Sequence, residues 1–72
     1  MTNRETFIQI ATALYGARWQ HAVARDMGLH VRQVHRWASG QYDPSADHVA
    51  ALRALAIDRV RLILNATKNA PP

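Results

Sequence analysis

Residues 27–40 read "MGLHVRQVHRWASG", with glycine near one end, glycine at the other, and bases alternating with apolar side chains between them. On a helix advancing about 100° per residue from Val31, the side chains of Val34, Trp37 and Ala38 fall near roughly 300°, 240° and 340° and share one face. Val31, Arg32, His35, Arg36 and Ser39 fall on the other, which therefore carries two arginines and a histidine over two turns with no acid to pair them. A solvated surface helix ordinarily mixes charge signs. This one does not, so its polar face is a candidate for contact with something anionic.

The residues before the stretch sharpen that expectation. A short helix, a three-residue turn opening on glycine and a second helix make a helix-turn-helix unit. The two helices cross closely, so the contact residue on the first must be small, and Ala24 stands there. The turn needs a residue tolerant of positive φ, and Gly28 stands four positions on. Apolar side chains must lock the crossing: Val23 and Met27 before the glycine, Leu29, Val34 and Trp37 after it.

The rest of the chain reads as helix between breakers at Gly16, Gly28, Gly40 with Pro44, and Pro71-Pro72, and no segment alternates with period two long enough for a strand. Thr2 three residues before Glu5 is a capping box, opening a helix over about 3–15 with Phe7, Ile8, Ala11, Leu14 and Tyr15 at helical spacing. The second helix is expected over about 18–27 and the third over 30–39. The segment "DPSADHV" restarts the chain, with Asp43 or Ser45 as cap and Pro44 and Asp47 suited to a first turn. A long helix follows over about 46–66. The expected fold class is thus all-α: one compact four-helix domain over 1–66, with 67–72 as a flexible tail. Val49, Leu52, Ala56, Val60 and Ile63 suffice to cover a three-helix core. Leu55, Ile57, Leu62 and Leu64 are then surplus, and their burial favours a homodimer.

Seventy-two residues allow one small domain, and the absence of cysteine excludes disulfides and thiolate zinc sites. The four histidines include no i,i+4 pair, so no metal and no cofactor is expected. Nine Lys plus Arg stand against five Asp plus Glu, a net charge of +4, and eight of the nine bases are arginine, whose flat fork suits phosphate and guanine. No run reaches the ~18 apolar residues of a membrane span. Nothing reads as a signal peptide, so a soluble cytoplasmic protein is expected. No nucleophile comes with a base and an orienting partner, and the chain is too short to enclose a pocket, so neither an enzyme nor a small-molecule binder is expected.

The segment "QHAVARDMGLHVRQVHRWASG" resembles the helix-turn-helix of the Cro and lambda-repressor family. "GQYDPSADHVAALRAL" resembles that family's continuation, where a Gly and a Pro lead into a Leu-bearing helix. The likeness covers about residues 18–57, and "ALYGARWQ" is similar to small phage and plasmid regulators. His30 departs from the pattern, since the family usually has Ser or Thr there.

The resemblance implies that the helix over 30–39 is the recognition helix. Val31, Arg32, His35 and Arg36 would face base edges, and Gln20 would bind phosphate. Arg32 and Arg36 can each fork onto guanine O6 and N7 in a major groove, and Val31 suits a thymine methyl. Arg18 joins Gln20 on the phosphate side, while Ser39, Gln41 and Tyr42 are placed to reach the flanking backbone. Trp37 reads as core. Trp19 reads either as core or as a wall on the phosphate side. The function expected is that of a sequence-specific regulator of transcription, most simply a repressor bound as a homodimer to an inverted-repeat operator in double-stranded DNA, half-sites about 34 Å apart. The competing readings are an architectural or recombination accessory DNA-binder, and a protein-interaction module built on the same fold.

Overall fold

The computed structural model describes residues 1–69. Four α-helices follow one another: α1 (Asn3–Tyr15), α2 (Trp19–Met27), α3 (Val31–Ser39) and α4 (Ala46–Asn69). A single 3-10 turn, Gly16–Arg18, which the four-helix expectation does not count, joins α1 to α2 and moves the start of α2 from 18 to Trp19. There is no strand among the described residues. The long C-terminal helix continues through 67–69, past the end expected at 66 and into the expected tail, while 70–72 lie outside the described residues.

Each helix begins and ends for a local reason. At α1 the Glu5 amide donates to Thr2 Oγ1 at 3.1 Å, but the Thr2 hydroxyl turns to the Glu5 carboxylate at 3.2 Å, so the reciprocal half of the box is made with the hydroxyl. At α4 Ser45, and not Asp43, is the cap: its Oγ accepts from the His48 amide at 3.2 Å, and His48 Nδ1 accepts in turn from the Ser45 amide at 3.3 Å. His48 thus fills the place that Glu or Gln takes in the usual box. Helix α2 ends on Gly28, left-handed at φ 68° and ψ 33°, where any side chain would be strained, and the Leu29 amide returns to the Ala24 carbonyl at 2.8 Å. Helix α3 starts at Val31. His30 occupies the cap position without a side-chain hydrogen bond, the outcome of its departure from Ser or Thr.

The core is Phe7, Ala11, Trp19, Val23, Ala24, Val34, Trp37, Val49 and Leu52, drawn from all four α-helices. Phe7 lies at its centre, its ring edge-on to Trp19 at 6.3 Å and to Trp37 at 5.1 Å. Trp37 is core as expected, and Trp19 is too, being only 6% exposed. Arg4 adds a contact that hydropathy does not reveal: Nε donates to the Trp37 carbonyl at 2.8 Å and a terminal nitrogen to the Ala38 carbonyl at 2.7 Å. A cation thereby meets two carbonyls of the last turn of α3, the Trp37 oxygen also accepting from the Gly40 amide at 3.2 Å, and holds the helix against α1.

Ala24 is buried where α2 meets α3, and Val23 beside it is fully enclosed. Ala24→Leu is expected to overpack the crossing by about 1–3 kcal/mol and to lower the melting temperature. A thermal melt matching wild type would show that the crossing has room the packing does not suggest.

Helix α4 departs from the expected pattern. Val49 and Leu52 are buried and Ala56 is half-buried, but Val60 and Ile63, expected to cover the core, are 53% and 64% exposed. Leu55, expected among the surplus, is half-buried and packs against the core. The reason is length. Twenty-four residues of helix span about 36 Å, and the body formed by the other helices covers only the first turns. The molecule is accordingly 48 Å long but only 21 and 19 Å across.

One polar knot ties α1, α2 and α4 together. Asp26 accepts from the Tyr15 hydroxyl at 2.7 Å, from Arg59 at 3.0 Å and from Arg25 at 3.0 Å. The Tyr15 hydrogen bond first, then the Arg25 hydrogen bond, lower the carboxyl pKa to about 2 from 3.8. Because the folded value is depressed, the stabilisation is complete above the unfolded pKa and disappears as pH falls from about 4 towards 2. Asp26→Asn should therefore melt below wild type at pH 7, and the two should converge near pH 2. Parallel melting curves across that range would mean the knot contributes nothing.

Candidate nucleic-acid interface

The core grips one side of α3 through Val34 and Trp37, which are 0% and 3% exposed. That fixes what the other side presents. Arg32, His35, Arg36 and Ser39 are all exposed, and Val31 is half-buried against the core at the start of the helix. The turn at Gly28 and the closure at Gly40 set the length of the helix, and Arg4 fixes its far end.

The ion pairs among the described residues are Arg25–Asp26, Arg59–Asp26 and Arg61–Asp58. None involves Arg18, Arg32 or Arg36. The Arg36 guanidinium instead stands 5.8 Å from the centroid of the Tyr42 ring, within reach of a cation–π contact. Tyr42 is 56% exposed, and with His30, Val31, Arg32, Gln33, Arg36 and Trp37 it lines an open concavity along α3. Nothing in the sequence marks Gln33 and His30 for this concavity. Only the fold of the segment after Gly40 brings Tyr42 round to make a wall beside them.

The second group of expected residues is spread more widely. Arg18 is exposed at the end of the 3-10 turn, and Gln20 is half-buried in the first turn of α2, which has no side-chain cap. His21, one residue on, lies edge-to-face with His35 at 5.7 Å between ring centroids, so the beginning of α2 and the middle of α3 share one exposed surface. Gln41 is exposed beyond α3. Ser39 is exposed, but its hydroxyl donates to the Arg36 carbonyl at 3.1 Å and is engaged in closing its own helix.

The arrangement has a defined chemical capacity. Two unpaired guanidinium groups project from adjacent turns of a rigid helix, and further donors stand at the start of the neighbouring helix. The first set can make forked hydrogen bonds to flat acceptors, and the second can meet phosphate oxygens. Among the described residues no group of three or more His, Cys, Asp or Glu side chains is placed to hold a metal ion, and no helix is long and apolar enough to cross a membrane. No protein-family model matches the chain, and no curated protein or solved structure is significantly similar to it.

Arg18 offers a separable test of whether this surface meets phosphate. If it binds duplex DNA, Arg18→Ala is expected to weaken binding of any duplex alike and to flatten the slope of log affinity against log salt by about 0.9 for each phosphate no longer neutralised. Titrations of two unrelated duplexes at several salt concentrations read both effects. A loss confined to one duplex would move Arg18 to the base-reading side.

Proposed function

We propose that this chain is a sequence-specific DNA-binding protein, most simply a transcriptional repressor that occludes a promoter, and that α3 is its reading helix. The observation that carries this reading is the unpaired basic face of α3. Arg32 and Arg36 stand exposed on a helix whose opposite side is locked into the core, following a left-handed glycine turn. Held on such a helix, an arginine approaches a guanine edge with its orientation already set, and less entropy is given up on binding. The likeness to Cro and lambda-repressor helix-turn-helix segments supports the same assignment.

In this account Arg32 and Arg36 read guanine, Val31 offers an apolar contact to a thymine methyl, and His35 completes the face. Arg18, Gln20, Gln41 and Tyr42 address the backbone on either side. Tyr42, beside Arg36, also limits where that guanidinium can swing.

Selection of bound duplexes from a random-sequence pool at about 150 mM salt tests the proposal, because nonspecific binding is weak there. The expected result is enrichment of one motif containing guanines. A pool that remains random after repeated rounds would leave α3 as a basic surface and remove the sequence-reading claim.

A further inference from the structure

The distal half of α4 is the part of the molecule that the DNA reading leaves unused. From Ile57 to Asn69 every residue is exposed, and Ile57, Val60, Leu62, Ile63 and Leu64 are 46%, 53%, 63%, 64% and 57% accessible. An isolated helical segment of this length is marginal in water, so packing of an apolar face is what ordinarily sustains it. A second feature lies alongside. Ile10, Ala13 and Leu14 of α1 and Ala56, Val60 and Ile63 of α4 line an apolar groove with Gln9 and Arg59 at its rim.

Ridge and groove lie on one face. At about 100° per residue, Val60 is at the centre of the stripe, with Ala56 and Ile63 on the α1 side and Ile57 and Leu64 on the other. Leu62 is about 160° away and does not belong to it. Such a surface is self-complementary. Turned by 180° about an axis through Val60, it brings Ile57 of one copy onto Ile63 of the other, and large Leu64 onto small Ala56 at the groove.

We propose that a second copy of the chain docks here, the two α4 helices crossing antiparallel about a two-fold axis near Val60. Each copy then seats its Ile57 and Leu64 ridge in the groove between α1 and α4 of the other. A specific pair needs on the order of 1,000 Å2 in total, about half from each copy, and the exposed aliphatic side chains of Ile57, Val60, Ile63 and Leu64 with the groove beside them offer apolar surface for it. The residues that hold the pair are Ile10, Leu14, Ile57, Val60, Ile63 and Leu64. Leu55 and Leu62, expected at a dimer contact from the sequence, are outside it, the first half-buried against the core and the second on the far side of the helix. Only one consequence rests on the DNA reading, namely that two α3 helices related by a two-fold axis would call for an inverted-repeat site.

Sedimentation equilibrium of the full chain without DNA separates this proposal from the DNA reading. The expected mass is twice the 8.1 kDa of one chain at micromolar concentrations. Val60→Glu should weaken the pair by roughly 30-fold or more, as a charge placed at the centre of an interface does, while Leu62→Glu should leave it intact. Circular dichroism at a concentration where both variants are monomeric verifies that each is folded. The chain has no cysteine, so Val60→Cys should cross-link to itself on oxidation and Leu62→Cys should not. A monomer up to about 200 µM, where even a weak specific pair would form, or equal disruption by the two Glu variants, would overturn the proposal. So would larger assemblies with no dimer stage, or cross-linking at position 62 as readily as at 60.

Discussion

Phe7→Ala should leave the chain largely unfolded. Phe7 is fully enclosed, and its ring is the one that both buried tryptophans meet edge-on, Trp37 at 5.1 Å and Trp19 at 6.3 Å. Removing a buried phenylalanine costs about 3–5 kcal/mol through reduced burial and the cavity left behind. The two edge contacts add about 0.5–1.5 kcal/mol each beyond that. Domains in general hold only about 5–15 kcal/mol, and one this small sits near the lower bound. The hole would also open where α1, α2 and α3 converge, so no single helix can shift to fill it. Circular dichroism on heating should show the midpoint lowered by about 15 °C or more, or no cooperative transition at all. A midpoint within a few degrees of wild type would mean that the two tryptophans close over the gap, and that the aromatic cluster is not the keystone of the fold.

The second large effect is on binding, with stability unchanged. Arg32 and Arg36 are exposed and unpaired, so the double substitution Arg32→Ala, Arg36→Ala should melt like wild type. If each arginine forks onto a guanine, the pair accounts for about 2–6 kcal/mol of the specific complex, or roughly 30- to 20,000-fold in Kd. Neighbouring groups on one helix share partners, so the effects of the two single substitutions need not sum to that of the double. Binding to unrelated duplexes should fall much less, because only two of the positive charges are removed. Fluorescence titration of each variant against a selected duplex and a scrambled one measures both quantities. Equal weakening on the two duplexes would reduce the arginines to general electrostatic attraction.

The difference between these two predictions reflects what the sequence makes legible. Helix boundaries rest on local chemistry, and that chemistry is written in short segments. Thr2 with Glu5, Gly28, and Gly40 before Pro44 mark ends that the structure places within a residue or two. The face of α3 follows from the angular spacing of Val34 and Trp37, since both can be satisfied only by turning inward. Arg4 carries no such signal. A lone arginine in the first turn of a helix looks solvated, and its role at the end of α3 depends on contacts 33 and 34 residues away. The Asp26 knot is illegible for the same reason, as Tyr15 and Arg59 come from helices on either side in sequence.

The largest departure lies in α4, where a stripe of apolar residues continues unbroken from Val49 to Ile63. Periodicity records which side of a helix is apolar. It does not record how far the neighbouring body extends, so it cannot tell a residue facing the core from one facing a partner. Periodicity alone assigns Val60 and Ile63 to the core and Leu55 to the surplus. The packing of α4 reverses both. Tyr42 presents a milder form of the same problem: its place beside Arg36 depends on the path of the loop after Gly40.

The central claim is that α3 distinguishes one DNA sequence from another, and the ratio of two affinities tests it most directly. Wild-type protein is titrated, at about 150 mM salt, against the duplex recovered by selection and against a scrambled duplex of the same length and composition. The account expects the selected duplex to bind at least about 1,000-fold more tightly, the lower bound for specific over nonspecific complexes. A ratio near one, with both affinities falling steeply and equally as salt rises, would contradict it.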